Sequence, residues 1–158
     1  MSPYVIEPLA AHDRRGFACG SAELDDYFRD RIGQDIRRRV ASSFVAIGPD
    51  GDVAGFYTLA ATSLAFGALP VERARRLPRY PVVPAILLGR LAISLGHQGK
   101  RLGSALVADA MMRAGRAEIA GYAMLVEAKD EAAARFYRHL GFESLPDTPG
   151  RLIRPLWV

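Results

Sequence analysis

Residues 97–106 read HQGKRLGSAL and lie between two apolar patterns. The run Ile86–Ile93 before them is mostly apolar, which indicates a buried strand, and apolar residues from Leu102 onward recur at helical spacing. The first N–H groups of a helix have no partner inside it and carry partial positive charge, so a strand–turn–helix of this kind binds anions. A plain helix start is the alternative. Neither GxGxxG nor GxxxxGK[ST] is present, which excludes the dinucleotide and P-loop motifs.

A second strand and helix follow over residues 122–140. Tyr122–Ala128 has the composition of a buried strand, Asp130 is suited to cap the next helix, and Gly141 to end it. Phe136 and Tyr137 are adjacent, and neighbouring residues of a helix point about a hundred degrees apart. We therefore expect Phe136 to be buried while Tyr137 faces a cleft. The alternative is that both rings are core residues.

The two motifs together resemble the GNAT acyl-coenzyme A N-acetyltransferases. That family has Gln or Arg, two residues, Gly, one residue, then Gly or Ala at a strand–helix junction. Here Gln98 and Gly103 match, while Arg101 replaces the middle glycine, and its Cβ predicts ordinary φ and ψ. The resemblance implies that Tyr137 is the general acid that protonates the departing thiolate. It also implies that acetyl-CoA, as co-substrate, is bound by the edge of the central strand, the turn and the second helix, at Leu91, Ala92, Ile93, Gln98, Gly99, Lys100, Arg101, Leu102, Gly103, Ser104 and Phe136.

The resemblance narrows to one subgroup over roughly residues 4 to 156. The segment CGSAEL at 19–24 and the segment PVVPAILLGRLA at 81–92 are similar to the GNAT toxins of bacterial toxin–antitoxin modules. Membership implies acetylation of the α-amino group of aminoacyl-tRNA, which blocks translation. It further implies neutralisation by a ribbon-helix-helix antitoxin and, in some members, a homodimer.

Arginine dominates the positive charge of the chain. Of 21 basic residues 19 are arginine, and the net charge is +4 at pH 7. Arginine suits phosphate because its planar fork makes paired hydrogen bonds, although charged runs are also common on merely solvated faces. Taken together with the resemblance to the toxins, this positive charge makes two clusters candidates for tRNA contacts. They are Arg37, Arg38 and Arg39, and Arg73, Arg75 and Arg76.

The patterns and the resemblance predict a single GNAT domain over residues 1–158 with an α/β (α+β) fold. We expect a mixed central sheet of about six to seven strands, splayed at the acetyl-CoA site and flanked by about four helices. The expected strands are 4–8, 43–47, 53–61, 83–93, 122–128, 142–145 and 152–156, and the expected helices span residues 21 to about 38, 71–76, 102–118 and 130–140. Thr62–Pro81 is expected to be irregular apart from a short helix.

Several classes of function are excluded by composition. No apolar run has membrane-spanning length, and a single cysteine, Cys19, suits the cytoplasm. No Cys or His cluster has metal-ligand spacing, so no metal is expected, and His12, His97 and His139 are interpreted as surface residues.

Two other functions remain open on the sequence. One is a GNAT acetyltransferase of a small-molecule or protein amine. The other is a non-catalytic module that binds coenzyme A or a partner, suggested by Arg101 in the turn. Glu127 is the one carboxylate of its strand, and we expect it to be solvated or ion-paired rather than catalytic.

Overall fold

The computed structural model describes residues 3–157 and contains seven strands and five α-helical segments. The strands are β1 (Val5–Pro8), β2 (Ser42–Ile47), β3 (Val53–Ala65), β4 (Val82–Ile93), β5 (Ala123–Glu127), β6 (Glu143–Leu145) and β7 (Thr148–Pro155). The helices are α1 (Ala22–Asp26), α2 (Ile32–Arg37), α3 (Val71–Ala74), α4 (Leu102–Gly115) and α5 (Glu131–His139). A π-helical segment, Tyr27–Arg31, joins α1 to α2, and 3-10 turns lie at Phe66–Ala68 and Leu95–His97.

The strands form one mixed sheet in the order β1-β2-β3-β4-β5-β7-β6, which agrees with the predicted fold class. β1 with β2, β2 with β3, and β7 with both β5 and β6 pair antiparallel, whereas β4 and β5 are parallel. The parallel register joins Ala85–Leu88 to Ala123–Val126. Beyond this register β4 continues to Ile93, while β5 ends at Glu127.

The chain groups into two compact units, each with its own apolar cluster. The first unit comprises Met1–Ala60 and Gly89–Ala110, and the second comprises Ala61–Leu88 and Met111–Val158. The cluster of the first unit consists of Phe17, Tyr27, Phe28, Ile32, Val45, Phe56 and Ala92. The cluster of the second unit consists of Leu64, Leu69, Val83, Ala85, Ala123, Leu125, Leu145 and Ile153. The prediction of one domain over residues 1–158 stays a prediction.

Two of the helices begin directly after a residue whose side chain caps a free backbone N–H group. The Ser21 hydroxyl accepts the N–H of Leu24 at 3.3 Å and caps α1, and an Asp130 carboxylate oxygen accepts the N–H of Ala133 at 2.8 Å and caps α5. Gly141 ends α5 with a φ of +94°, a left-handed value that favours glycine.

Several predicted boundaries are wrong. The continuous helix expected from residue 21 to about 38 is divided into α1, the π-helical segment and α2, and β7 begins at Thr148 rather than at residue 152. β3 runs to Ala65 rather than Ala61, so the irregular segment begins later than Thr62. The helix after the turn ends at Gly115 rather than Glu118, because glycine is a poor helix former. In the part of the chain that the structure describes, no helix is long and apolar enough to cross a membrane. Within residues 3–157, no group of three or more His, Cys, Asp or Glu side chains could hold a metal ion.

Phe28 lies in the core of the first unit, and its replacement tests how much the packing there stabilises the protein. It is fully buried and stacks on Phe56 at 4.3 Å between ring centroids, with Phe17 at 4.7 Å. Phe28→Ala removes a packed ring and leaves a cavity, so we expect the free energy of unfolding to fall by about 3–5 kcal/mol in a urea titration. Ile119→Ala is the control, because Ile119 is 83% exposed and its loss should change the free energy by less than about 0.5 kcal/mol. Equal effects of the two substitutions would contradict this account of the core.

Candidate active site

The turn before α4 has the backbone of a glycine-rich loop although one of its residues is arginine. Gly99 has a φ of +79° and Arg101 a φ of +62°, both left-handed. The expectation of ordinary φ and ψ at Arg101 is therefore wrong. A left-handed residue with a Cβ costs about 1–2 kcal/mol, which the rest of the turn must offset. Arg101 thus keeps the path of the chain that the missing glycine would give.

Gln98 anchors this turn. Its side-chain Nε2 donates to the carbonyl oxygens of Cys19 and Ile93, each at 2.9 Å. An amide nitrogen carries two hydrogens, so both are used inside the protein. The side chain of Gln98 therefore positions the turn, and the groups left to meet an anion are backbone N–H groups.

Those N–H groups belong to the first turn of α4. Ala105 donates to the carbonyl oxygen of Arg101 at 3.2 Å and so closes the first helical hydrogen bond. The N–H groups of Leu102, Gly103 and Ser104 precede it and have no partner within a helix. A cavity of about 340 Å³ opens beside the turn and is lined in part by Lys100 and Arg101. This set of donors suits a pyrophosphate.

His97 is not the surface histidine expected from the sequence. Its side chain is only 13% exposed, its Nδ1 lies 2.9 Å from the Tyr4 hydroxyl, and its Nε2 lies 2.8 Å from Asp52 Oδ2. The hydrogen bond from His97 lowers the pKa of Asp52. Gly48 adjoins this pair, because a Cβ there would lie 2.7 Å from Asp52 Oδ1. His97 therefore ties the start of the turn to β1 and to the β2–β3 connection.

The edge of β4 supplies a second set of backbone groups. Ser94 donates to the Ala54 carbonyl at 2.9 Å, and the Ala92 oxygen lies 3.0 Å from where a Cβ of Gly55 would stand, so both face β3. Backbone groups alternate along a strand, so those of Leu91 and Ile93 face away from β3. The Ile93 carbonyl accepts from Gln98. Three backbone groups therefore remain available to bind an extended ligand: the N–H groups of Leu91 and Ile93 and the carbonyl of Leu91. The backbone of Ala92 is not available, because it faces β3.

Tyr137 lies in the second unit, on α5, and is more deeply buried than expected. It is 9% exposed, whereas Phe136 is only half-buried, which reverses the predicted order. The Tyr137 ring packs edge-on against Phe142 at 5.5 Å and Phe136 at 5.1 Å. Burial raises the pKa of Tyr137 to about 12, so its hydroxyl keeps its proton at physiological pH.

The two arginine clusters differ in how far their charge is neutralised. Arg37, Arg38 and Arg39 are exposed at the end of α2. The guanidinium of Arg37 lies 3.2 Å, and that of Arg14 3.7 Å, from where a Cβ of Gly33 would stand. Arg14 thus adds a positive charge beside this cluster, although its Nη1 also donates to the Phe28 carbonyl at 3.0 Å. Nothing in the sequence pattern singled out Arg14.

The second cluster is partly paired with carboxylates. Arg73 Nε donates to Glu143 Oε1 at 2.9 Å, which raises the pKa of Arg73, and Arg75 lies 3.5 Å from Glu72. Arg76 is exposed. Glu127 lies 3.8 Å from Arg151 Nε in an ion pair, as expected.

Residues 41–144 match the family model of the acetyltransferase (GNAT) domain. The chain belongs to the GNAT acetyltransferase family. This GNAT chain is also 39% identical over 145 residues to the tRNA-acetylating toxin of Mycobacterium tuberculosis, with 90% of this chain and 86% of that protein covered.

Two solved structures share the fold of this GNAT chain. AtaT complexed with acetyl-methionyl-tRNAfMet aligns with a TM-score of 0.89 and 30% identity over 96% of this chain and 94% of that one. A mutant of the toxin AtaT bound to the C-terminus of the antitoxin AtaR and acetyl-CoA aligns with a TM-score of 0.81 and 27% identity, over 98% and 94%.

The turn generates a prediction about acetyl-CoA affinity. Arg101→Gly should preserve or improve binding, because glycine adopts the left-handed φ without a steric cost. Gly103→Val should weaken binding, because a branched side chain obstructs close approach to the backbone. Titration calorimetry measures both, and ligand-induced thermal stabilisation should follow the same order. A severe loss in Arg101→Gly would show that the guanidinium itself contacts phosphate, and unchanged affinity in Gly103→Val would contradict backbone recognition.

Proposed function

We propose that this GNAT N-acetyltransferase transfers an acetyl group from acetyl-CoA to the α-amino group of aminoacyl-tRNA and thereby acts as a toxin that blocks translation. The observation that carries the proposal is the similarity over nearly the whole chain to a tRNA-acetylating toxin and to AtaT complexed with acetyl-methionyl-tRNAfMet. The exposed arginines at the end of α2 support it, because phosphate contacts supply much of the affinity for nucleic acids.

In this proposal the first unit binds the co-substrate. The N–H groups of Leu102, Gly103 and Ser104 take the pyrophosphate, with Gly99, Lys100 and Arg101 completing the turn and Gln98 fixing it. The backbone groups of Leu91 and Ile93 align the pantetheine arm as a strand edge aligns a peptide. Acetyl-CoA supplies the acyl group as a thioester.

The acceptor amine needs little help to lose its proton. A peptide α-amine has a reference pKa of about 7.7–8.0, and the neighbouring ester of aminoacyl-tRNA lowers the basicity of its amine further. Much of it is neutral at cytoplasmic pH, so positioning and a backbone N–H for the oxyanion suffice without a strong general base. Glu127, whose carboxylate lies 3.8 Å from Arg151 Nε, is given no catalytic role in this proposal.

Tyr137 is assigned the general-acid role. Its hydroxyl is protonated at physiological pH, and no hydrogen bond to it is found among the described residues, so the proton is free to go to the leaving thiolate. Phe136 is assigned to the wall of the co-substrate site.

The partners follow from the same similarity. AtaT binds the C-terminus of the antitoxin AtaR, and we propose an antitoxin of the ribbon-helix-helix class for this chain. We also propose that it acts in the cytoplasm, where charged tRNA is found, and that two copies associate as a homodimer, which sedimentation would test.

Tyr137→Phe separates proton donation from binding. The substitution keeps the ring and its packing, so acetyl-CoA affinity should be nearly unchanged while kcat falls by about 10²–10⁴-fold. Because the raised pKa keeps the wild-type hydroxyl protonated, kcat should show no decline attributable to Tyr137 between about pH 7 and about pH 9. The measurement is kcat against pH in an assay limited by chemistry. Wild-type turnover in Tyr137→Phe would reject the assignment.

The acceptor is tested directly. The protein is incubated with labelled acetyl-CoA and total charged tRNA, and the label is sought on the amino acid after deacylation. Label confined to free amines or proteins, with charged tRNA inert, would support the small-molecule or protein-amine alternative. Absence of any turnover would support a non-catalytic binding module.

Charge removal gives an independent test of RNA binding. Replacing Arg37, Arg38 and Arg39 with glutamine should weaken binding to all tRNAs and flatten the dependence of log affinity on log salt, by about 0.7–0.9 for each phosphate that is no longer neutralised. Acetyl-CoA affinity should not change. At the level of one charge, Arg37→Gln is compared with Arg75→Gln, which should have the smaller effect because Arg75 pairs with Glu72.

A further inference from the structure

Arg90, on β4 next to Leu91, carries an exposed charge that is held in one place by an aromatic ring. Its guanidinium carbon lies 3.6 Å from the centroid of the Tyr27 ring, in a cation–π contact. Arg90 is exposed, and within residues 3–157 no carboxylate forms an ion pair with it. The guanidinium is therefore both fixed and available.

The platform beneath Arg90 is rigid. Tyr27 is 4% exposed, and its hydroxyl donates to Asp35 Oδ2 at 2.8 Å. Burial, together with the hydrogen bond to Asp35, raises the pKa of Tyr27 to about 12, so the ring stays neutral and the bond to Asp35 is retained. The backbone of Arg90 is fixed as well, because its N–H donates at 3.0 Å to Oγ1 of Thr58, a buried residue.

A guanidinium in this arrangement suits a phosphate. Stacking occupies one face of the planar group and leaves its N–H edge to make two parallel hydrogen bonds. Lysine would supply the charge without the planar fork or the stack.

The guanidinium of Arg90 and the helix α4 lie on opposite faces of the sheet. Phe56 and Tyr57 are adjacent on β3 and so point to opposite faces. Phe56 packs with Tyr27 and Ala92, whereas the Tyr57 hydroxyl donates to Asp109 of α4 at 2.7 Å. Arg90 alternates with Ala92 and lies over Tyr27, on the face opposite α4.

We propose that Arg90 binds a backbone phosphate of the RNA acceptor, next to its aminoacylated end. The proposal rests on the proposed function and adds a residue that positions the acceptor. Arg90 adjoins Leu91, whose backbone is assigned to the co-substrate arm, so a phosphate held by Arg90 lies beside the strand along which the acetyl group is delivered.

The experiment compares two acceptors for wild type, Arg90→Gln and Arg90→Lys. One acceptor is charged tRNA, and the other is the methyl ester of the same amino acid, which has the amine and an ester but no phosphate. Arg90→Gln should raise KM for charged tRNA about tenfold or more, in line with the removal of a charge-assisted hydrogen bond. KM for the methyl ester and for acetyl-CoA should not change. Arg90→Lys should restore part of the loss, and Arg116→Gln, which removes an exposed charge outside any assigned site, should resemble wild type.

Each other result overturns the proposal in a distinguishable way. An equal loss of kcat/KM on both acceptors, with a lowered Tm, would make the contact with Tyr27 structural only. A raised KM for acetyl-CoA would assign the phosphate to the co-substrate instead. If wild type acetylates the methyl ester but not charged tRNA, the proposed function fails and this inference with it. If wild type acetylates charged tRNA and Arg90→Gln does so with an unchanged KM, only the inference fails.

Discussion

The turn before α4, proposed to bind an anion, depends on a backbone that is held in a costly conformation. Hydrogen bonds to an anion are strong only when several N–H groups converge on it, and residues 98–104 must therefore follow one path. Two side chains enforce that path from adjacent positions: Gln98 binds the carbonyls of Cys19 and Ile93, and His97 bridges Tyr4 and Asp52. Their hydrogen bonds offset the left-handed φ of Arg101, which a glycine would adopt without that cost. Arg101 thus occupies a left-handed position at a cost in stability that a glycine would not have.

The same anchoring links the turn to the strand before it. Because Gln98 takes the Ile93 carbonyl, the last backbone acceptor of β4 is used inside the protein, and the free groups of that edge are confined to a short stretch at Leu91 and Ile93. An extended ligand with a pyrophosphate would have to make hydrogen bonds both with the edge of β4 and with the N–H groups at the start of α4. This requirement favours one long molecule over separate small ones.

Positive charge on the protein is divided between paired and unpaired arginines. Arg73 and Arg75 lie beside glutamates, so their attraction for a polyanion is reduced, whereas Arg37 lies beside Arg14 and Arg90 lies on a neutral ring. Solvated pairs contribute little to stability, but they cancel charge locally. In the proposed function, the electrostatic attraction for RNA is therefore expected to come from the first unit.

The order of the strands along the chain, the location of the turn and the caps at Ser21 and Asp130 could be predicted from the sequence, as could the resemblance that the family match confirmed. These depend on local patterns: apolar spacing, glycine position and side chains that reach their own backbone. Features that depend on distant partners could not be predicted and follow from the tertiary structure. It set the left-handed φ of Arg101, buried His97 against Asp52, reversed the expected burial of Phe136 and Tyr137, and gave Arg90 its aromatic support. None of these could be derived from spacing along the chain, because each follows from contacts between residues that the fold alone brings together.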